Sequence, residues 1–215
     1  QEAPEALFYQ PVHPLLGQKV SAVHPTWEAE LSTVLTPFLN DHRVQGSVVL
    51  PGSAYVEMAQ AAAAETYGAT CSVDNLVFHR AVILDETCDP ILRTTLNEQD
   101  GTLEFAAFTA TANGDTSWAI TATAELNVRP VTPRRRDLAV QPDPLVTLAD
   151  EGFYARTASI GFTYGDAFRS VRRVAAGDDW SAAELVIPPA IVDDIDHYRF
   201  HPALIDGAFQ ILFGV

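Results

Sequence analysis

The stretch from Ser53 to Tyr67 constrains this chain more than any other. Pro51 and Gly52 stand at its opening, alanines crowd it from Ala59 to Ala64, and Gly68 closes it. Proline and glycine ahead of strong helix formers, with glycine just beyond them, mark one α-helix. Its side chains are small enough for a sheet to approach closely. The segments around it are strand-like. An extended piece, Val20 to Leu31, leads through a loop to Val48-Val49-Leu50, and four runs follow the helix: Leu76 to Leu84, Ile91 to Asn97, Thr102 to Ala112 and Trp118 to Val128. Asn113-Gly114-Asp115 reads as a hairpin turn between the last two. One helix followed by antiparallel strands predicts a curved sheet wrapped around that helix.

A proline- and arginine-rich stretch without apolar periodicity, residues 129–144, reads as a linker. It divides the chain into an N-terminal unit, residues 1–128, and a C-terminal unit, residues 145–215. The second unit begins the pattern of the first again. A helix is expected from Leu145 to Ser159, ending near Gly161, then strands at Ala167 to Ala175 and Ala182 to Ile187, then a buried helix from Pro202. Setting Leu50-Pro51-Gly52-Ser53 against His201-Pro202-Ala203-Leu204 places a proline at the start of each central helix. The chain stops at Val215 inside that second helix, so the expectation is that strands of the second unit lie beyond it.

Composition narrows the class of function. Of 215 residues, 47% are hydrophobic and 19% charged, enough for a buried core. A net charge of −15 repels phosphate backbones, which argues against nucleic acid as a partner. Arg134-Arg135-Arg136 between prolines reads as a solvated linker. No apolar run approaches the roughly 20 residues that span a bilayer, and no signal peptide opens the chain, so a soluble cytoplasmic protein is expected. Cys71 and Cys88 lack metal-type spacing and read as two small thiols, buried or half-buried.

Two stretches carry chemistry. In Asp41-His42-Arg43-Val44-Gln45-Gly46-Ser47-Val48-Val49-Leu50-Pro51-Gly52, His42 is expected in a polar loop ahead of a buried strand and a helix start. A histidine titrates near neutrality and can take a proton from carbon, while free amides at a helix start, Gly52 among them, can bind an acyl oxygen. Taken alone, His42 reads as a structural histidine before it reads as a base, since no single histidine establishes one. In His201-Pro202-Ala203-Leu204-Ile205-Asp206-Gly207-Ala208-Phe209-Gln210, Asp206 is expected in the first turn of an apolar helix, with Gln210 four residues on and able to orient it. A carboxyl there either answers the positive helix end or, desolvated, becomes a proton donor. His197, His201 and Asp206 form a weak metal-ligand candidate, because Pro202 breaks a shared helix between the histidines.

His42-x3-Gly46-x4-Pro51 resembles the signature of dehydratase domains of polyketide and fatty acid synthases, and three further landmarks of that family occur in order. His13-Pro14-Leu15-Leu16-Gly17 resembles its opening motif, Tyr164-Gly165-Asp166-Ala167-Phe168 its Tyr-Gly-x-x-Phe motif, and Asp206-x3-Gln210 its Asp-x3-Gln motif. Asp166 departs from the usual proline and adds a carboxylate close to the expected site. The resemblance implies an α+β double hot-dog fold, each half a central helix wrapped by an antiparallel sheet. It implies that His42 removes a C2 proton while Asp206 protonates the leaving 3-hydroxyl, with Gly46, Pro51, Gly52, Tyr164 and Gln210 binding or orienting the substrate. It implies no metal or redox cofactor, since the phosphopantetheine arm arrives on an acyl carrier protein. The implied partners are that carrier protein, neighbouring synthase domains and a second copy in a homodimer. A product template domain, a double-bond-shifting domain and a non-catalytic carrier-docking domain are the alternatives on the same fold.

Overall fold

Short antiparallel strands fold back around helices in the order their apolar spacing sets. The structure, a computed structural model, describes residues 11–69, 71–84, 89–110, 116–127 and 143–213. In chain order the elements are β1 (Gln18–Val20), β2 (Thr26–Glu30), β3 (His42–Val44), β4 (Ser47–Val49), α1 (Gly52–Tyr67), β5 (Ser72–Phe78), β6 (Ile83–Leu84), β7 (Ile91–Leu96), β8 (Thr102–Ala110) and β9 (Thr116–Asn127). There follow β10 (Val146–Ala149), α2 (Asp150–Ser159), β11 (Phe162–Tyr164), β12 (Val171–Ala176), β13 (Ser181–Leu185) and α3 (Pro202–Gln210).

Six strands form one antiparallel sheet in the order β1-β2-β7-β8-β9-β5. Alternate residues of its strands turn inward: Leu92, Thr94 and Leu96 of β7, Leu103, Phe105 and Ala107 of β8, and Ala122, Ala124 and Leu126 of β9 are all buried. They meet α1, whose Ala54, Met58, Ala59, Ala61, Ala62 and Ala63 are buried in turn. A helix buried on so many sides needs small residues for close approach, which the alanines supply. Gly68 ends it in the left-handed region at φ 65°, its amide donating to the Ala64 carbonyl.

The second half places β10-β12-β13 in a three-stranded sheet beside α3, and α3 packs against α1. The two halves are further joined by a four-stranded sheet, β11-β3-β4-β6, in which β11 of the second half pairs antiparallel with β3 of the first. Core side chains of both halves, from Leu15, Trp27 and Phe105 to Phe153, Phe168 and Ala203, form one cluster. Two helices side by side, each with antiparallel strands over it, make the α+β double hot-dog arrangement expected. Among the described residues no helix is long and apolar enough to cross a membrane.

Several element boundaries differ from expectation. The run Leu76 to Leu84 is not one strand. β5 starts earlier, carries a register shift near Asn75 (φ 51°), and ends where the His79 and Arg80 amides both turn to the Thr121 carbonyl; β6 then joins the other sheet. The helix expected from Leu145 begins only at Asp150, because the residues before it are drawn into pairing with β12. The strand expected from Ala167 starts at Val171, after a 3-10 turn over Asp166–Phe168. His42 does not lie in a loop but opens β3. The hairpin turn at Asn113-Gly114-Asp115, most of the linker and Cys88 lie outside the described residues, and Cys71 is buried.

Candidate active site

The β3–β4 hairpin holds His42. Its turn residues Gln45 and Gly46 have φ of 51° and 85°, the positive pair that a two-residue hairpin requires and that glycine adopts without strain. Across the hairpin, His42 Nδ1 donates to the Val49 carbonyl at 2.8 Å. That bond fixes the tautomer, so in the neutral ring Nε2 carries the lone pair. His42 is 7% exposed, and its ring lies beside Tyr164 and Phe168, centroids 5.7 and 5.2 Å away. Tyr164 is the register partner of His42 in the β3–β11 ladder. Next to His42, Asp41 ties down the second half: its Oδ2 accepts the Ala167 amide at 2.9 Å and its carbonyl accepts the Gly165 amide at 2.8 Å. A side chain on Gly165 would collide with the Asp41 carboxylate, which is why glycine stands there.

Asp206 comes from the other direction, on α3. It is the fifth helical residue rather than one of the first turn, so the positive end of the helix does not account for it. His201 serves as the N-cap instead, its Nδ1 accepting the Ala203 amide at 3.2 Å. Asp206 is 5% exposed. Burial pushes its carboxyl above the usual carboxylate range, while His42 and the Gln210 hydrogen bond act in the opposite direction without reversing the shift. Asp206 Oδ1 lies 3.9 Å from His42 Nε2, too long for a hydrogen bond, and both groups line one cavity of about 500 Å³. A lone pair and a carboxyl held above its ordinary pKa therefore face each other across an apolar space, an arrangement suited to moving protons on a substrate between them.

The residues singled out from sequence fall into three groups. His42, Gly52, Tyr164 and Asp206 all line this cavity, with Leu50, Tyr55, Phe78 and Phe209. A Cβ on Gly52 would sit 2.8 Å from the tip of the Phe78 ring, so any side chain there would push that ring aside. Gln210 and Pro51 stand behind the wall. Gln210 donates to Asp206 Oδ2 at 2.9 Å, and buried Pro51 leads in extended conformation into α1. Gly46 and Asp166 do not reach the site: both are exposed and neither lines the cavity, so Gly46 acts through the hairpin turn and the Asp166 carboxylate faces solvent. The His197, His201 and Asp206 ligand set is not assembled. His197 Nδ1 bonds Asp194 at 2.9 Å, His201 Nε2 faces Asp194 at 3.5 Å, and Asp206 faces His42.

Two buried groups that support the site escaped the sequence reading. Tyr154 on α2 donates toward Gln210 Oε1 and the Phe168 carbonyl, both at 3.3 Å. Glu57, fully buried in α1, accepts from His13 Nε2 at 3.0 Å and from the Arg199 and Phe200 amides at 2.6 and 3.0 Å. His13 Nδ1 in turn accepts the Leu15 and Leu16 amides. The opening motif is thus pinned to α1 and to the segment leading into α3. A carboxylate between Val56 and Met58, in the apolar part of an alanine-rich helix, was the available signal for Glu57.

Residues 13–110 match the family model of the polyketide synthase dehydratase domain, and residues 132–215 match that described as the polyketide synthase dehydratase N-terminal domain. The chain is 32% identical over 208 residues to the mycocerosic acid synthase-like polyketide synthase of Mycolicibacterium smegmatis, covering 93% of this chain and 10% of that protein. It thus spans about a tenth of the length of this curated relative. Among solved structures, the dehydratase domain of a mycocerosic acid synthase-like polyketide synthase superposes with a TM-score of 0.78 at 29% identity, over 94% of this chain and 73% of that one. An inactive His-to-Phe variant of the CurJ dehydratase, solved in complex with a compound, gives 0.83 at 26% identity, over 95% and 72%. The motifs, the double hot-dog architecture and these relatives agree: the chain belongs to the dehydratase domains of polyketide synthases.

Proposed function

We propose that this domain removes water from a 3-hydroxyacyl thioester carried on the phosphopantetheine arm of an acyl carrier protein, with His42 as base and Asp206 as acid. The observation that carries the reading is the 3.9 Å opposition of His42 Nε2 and Asp206 Oδ1 in one apolar cavity, with Nδ1 already committed to Val49. His42 Nε2 takes the C2 proton, the C–H pair becomes the C2=C3 bond, and the C3–O bond breaks as Asp206 gives its proton to the departing hydroxyl. The products are water and a trans-2-enoyl thioester, and the proton on Nε2 returns to Asp206 through solvent after product release. First-turn amides of a helix have no partner within it, so the Gly52 amide is available to the thioester oxygen. A carboxyl opposite the histidine favours dehydration over double-bond shifting, the variant for which the family pattern lacks the acid. Carrier protein, neighbouring synthase domains and a second copy of the chain are the proposed partners, and the reading calls on no resident cofactor.

Incubation with a 3-hydroxyacyl carrier protein should give, by intact mass, a loss of about 18 Da, one water. His42→Ala and Asp206→Asn should each slow this by about 10²–10⁴-fold, the usual worth of a positioned acid or base. Exchange of the C2 hydrogen with deuterium from solvent should persist in Asp206→Asn and vanish in His42→Ala. Near-normal water loss in His42→Ala would end the base assignment.

A further inference from the structure

The polar network behind Asp206 extends past the residue that touches it. Gln210 commits both hydrogens of its side-chain nitrogen, to Asp206 Oδ2 at 2.9 Å and to the Phe168 carbonyl at 3.0 Å. Its Oε1 lies 3.3 Å from the Tyr154 hydroxyl. That hydroxyl accepts the Val171 amide at 2.9 Å and has one proton to give, shared between Gln210 Oε1 and the Phe168 carbonyl, 3.3 Å from each. Gln210 and Tyr154 are both buried. A primary amide can turn over and present its oxygen where its nitrogen was. Here the turned amide would press Oε1 against the Phe168 carbonyl, two acceptors with no proton between them, and would take Oε1 away from the Tyr154 proton. The arrangement therefore favours nitrogen toward Asp206.

We propose that Tyr154 is a positioning residue for the acid. Through Gln210 it holds Asp206 Oδ2 as a standing hydrogen-bond acceptor, which leaves Oδ1, the oxygen facing His42, to carry the proton that the substrate hydroxyl receives. The inference rests on the dehydration reading above. The titratable groups around Asp206 are His42 from β3, Tyr164 from β11 and Tyr154 from α2. Burial raises both phenols, that of Tyr154 to about 12, so both stay neutral donors through the working range. Donation by Gln210 opposes the effect of burial on Asp206, so weakening it moves the carboxyl further upward.

The test needs no turnover. Infrared difference spectra between the chain and its Asp206→Asn variant isolate the Asp206 carboxyl stretch, and a pH series gives its midpoint. In Tyr154→Phe that midpoint should rise by up to about one unit, the scale of the Gln210 hydrogen bond to Asp206 that Tyr154 supports. In the dehydration assay kcat should fall about tenfold with KM changed less than about twofold, and the alkaline limb should move up with the midpoint, because the acid works only when protonated. Gln210→Leu should raise the midpoint as well, and adding Tyr154→Phe to it should move the midpoint no further, since Tyr154 acts through Gln210. An unmoved midpoint in folded Tyr154→Phe overturns the proposal. If that variant does not fold, Gln210→Leu decides, and an unmoved midpoint there overturns it equally. Water loss with an unmoved midpoint sinks this inference alone; a shifted midpoint without any water loss sinks the dehydration reading instead.

Discussion

Two buried carboxylates in this domain are driven in opposite directions by the donors around them. Asp206 has one donor, Gln210, and burial prevails, so its pKa rises. Glu57 is fully buried, but His13 and two backbone amides hydrogen-bond its charged form, and together they outweigh burial and lower its pKa. The first is suited to giving up a proton during turnover; the second is a structural anchor that stays charged. The sign for stability follows for Glu57. Its folded pKa lies below the ordinary 4.5, so its contribution is complete above about 4.5 and is lost as pH falls through the folded value. Glu57→Gln should therefore lower the melting midpoint at neutral pH, and the gap from the native chain should close in acid, as thermal unfolding across a pH series would show. A gap that stays constant with pH would mean that Glu57 acts through shape rather than charge.

At the scale of elements, α1 was legible because all its determinants are local: alanines within, proline and glycine at the ends. The three-residue strands β3 and β11 were not legible, since a period of two cannot be recognised over so few positions. They form because they pair with each other and, for β3, with β4. The apolar run around Phe78 and Val82 looked continuous because the break in it is made by hydrogen bonds from His79 and Arg80 to Thr121 on another strand. Close packing around α1 makes its own prediction. Ala62 is 0% exposed in the core around α1, so Ala62→Leu should cost about 1–3 kcal/mol through overpacking. Denaturant unfolding measures it; a neutral result would show that the core around the helix has room to spare.

Over the whole molecule, the β3–β11 ladder makes the site, because it sets His42 opposite Tyr164 while α3, packed on α1, brings Asp206 up from the far side. Asp41 fastens that junction through the Ala167 and Gly165 amides. Asp41→Ala should cost about 1–3 kcal/mol, the range for leaving a buried partner unsatisfied. It should also slow water loss by disturbing the spacing of His42, whereas Asp41→Asn, which keeps an acceptor oxygen, should retain most of both. Equal stability and rate in all three proteins would remove Asp41 from the junction. What the sequence determined by itself was the helix, most of the sheet and the kinds of residue able to do acid–base chemistry, because these depend on spacing and propensity within a few turns of chain. Only the tertiary structure decided that His42 presents Nε2, that the Asp206 carboxyl is raised while that of Glu57 is lowered, and that Gly46 and Asp166 stay outside the cavity. Each of those depends on burial and on hydrogen-bond partners supplied by chain far away in sequence, and a side chain's identity does not contain its neighbours.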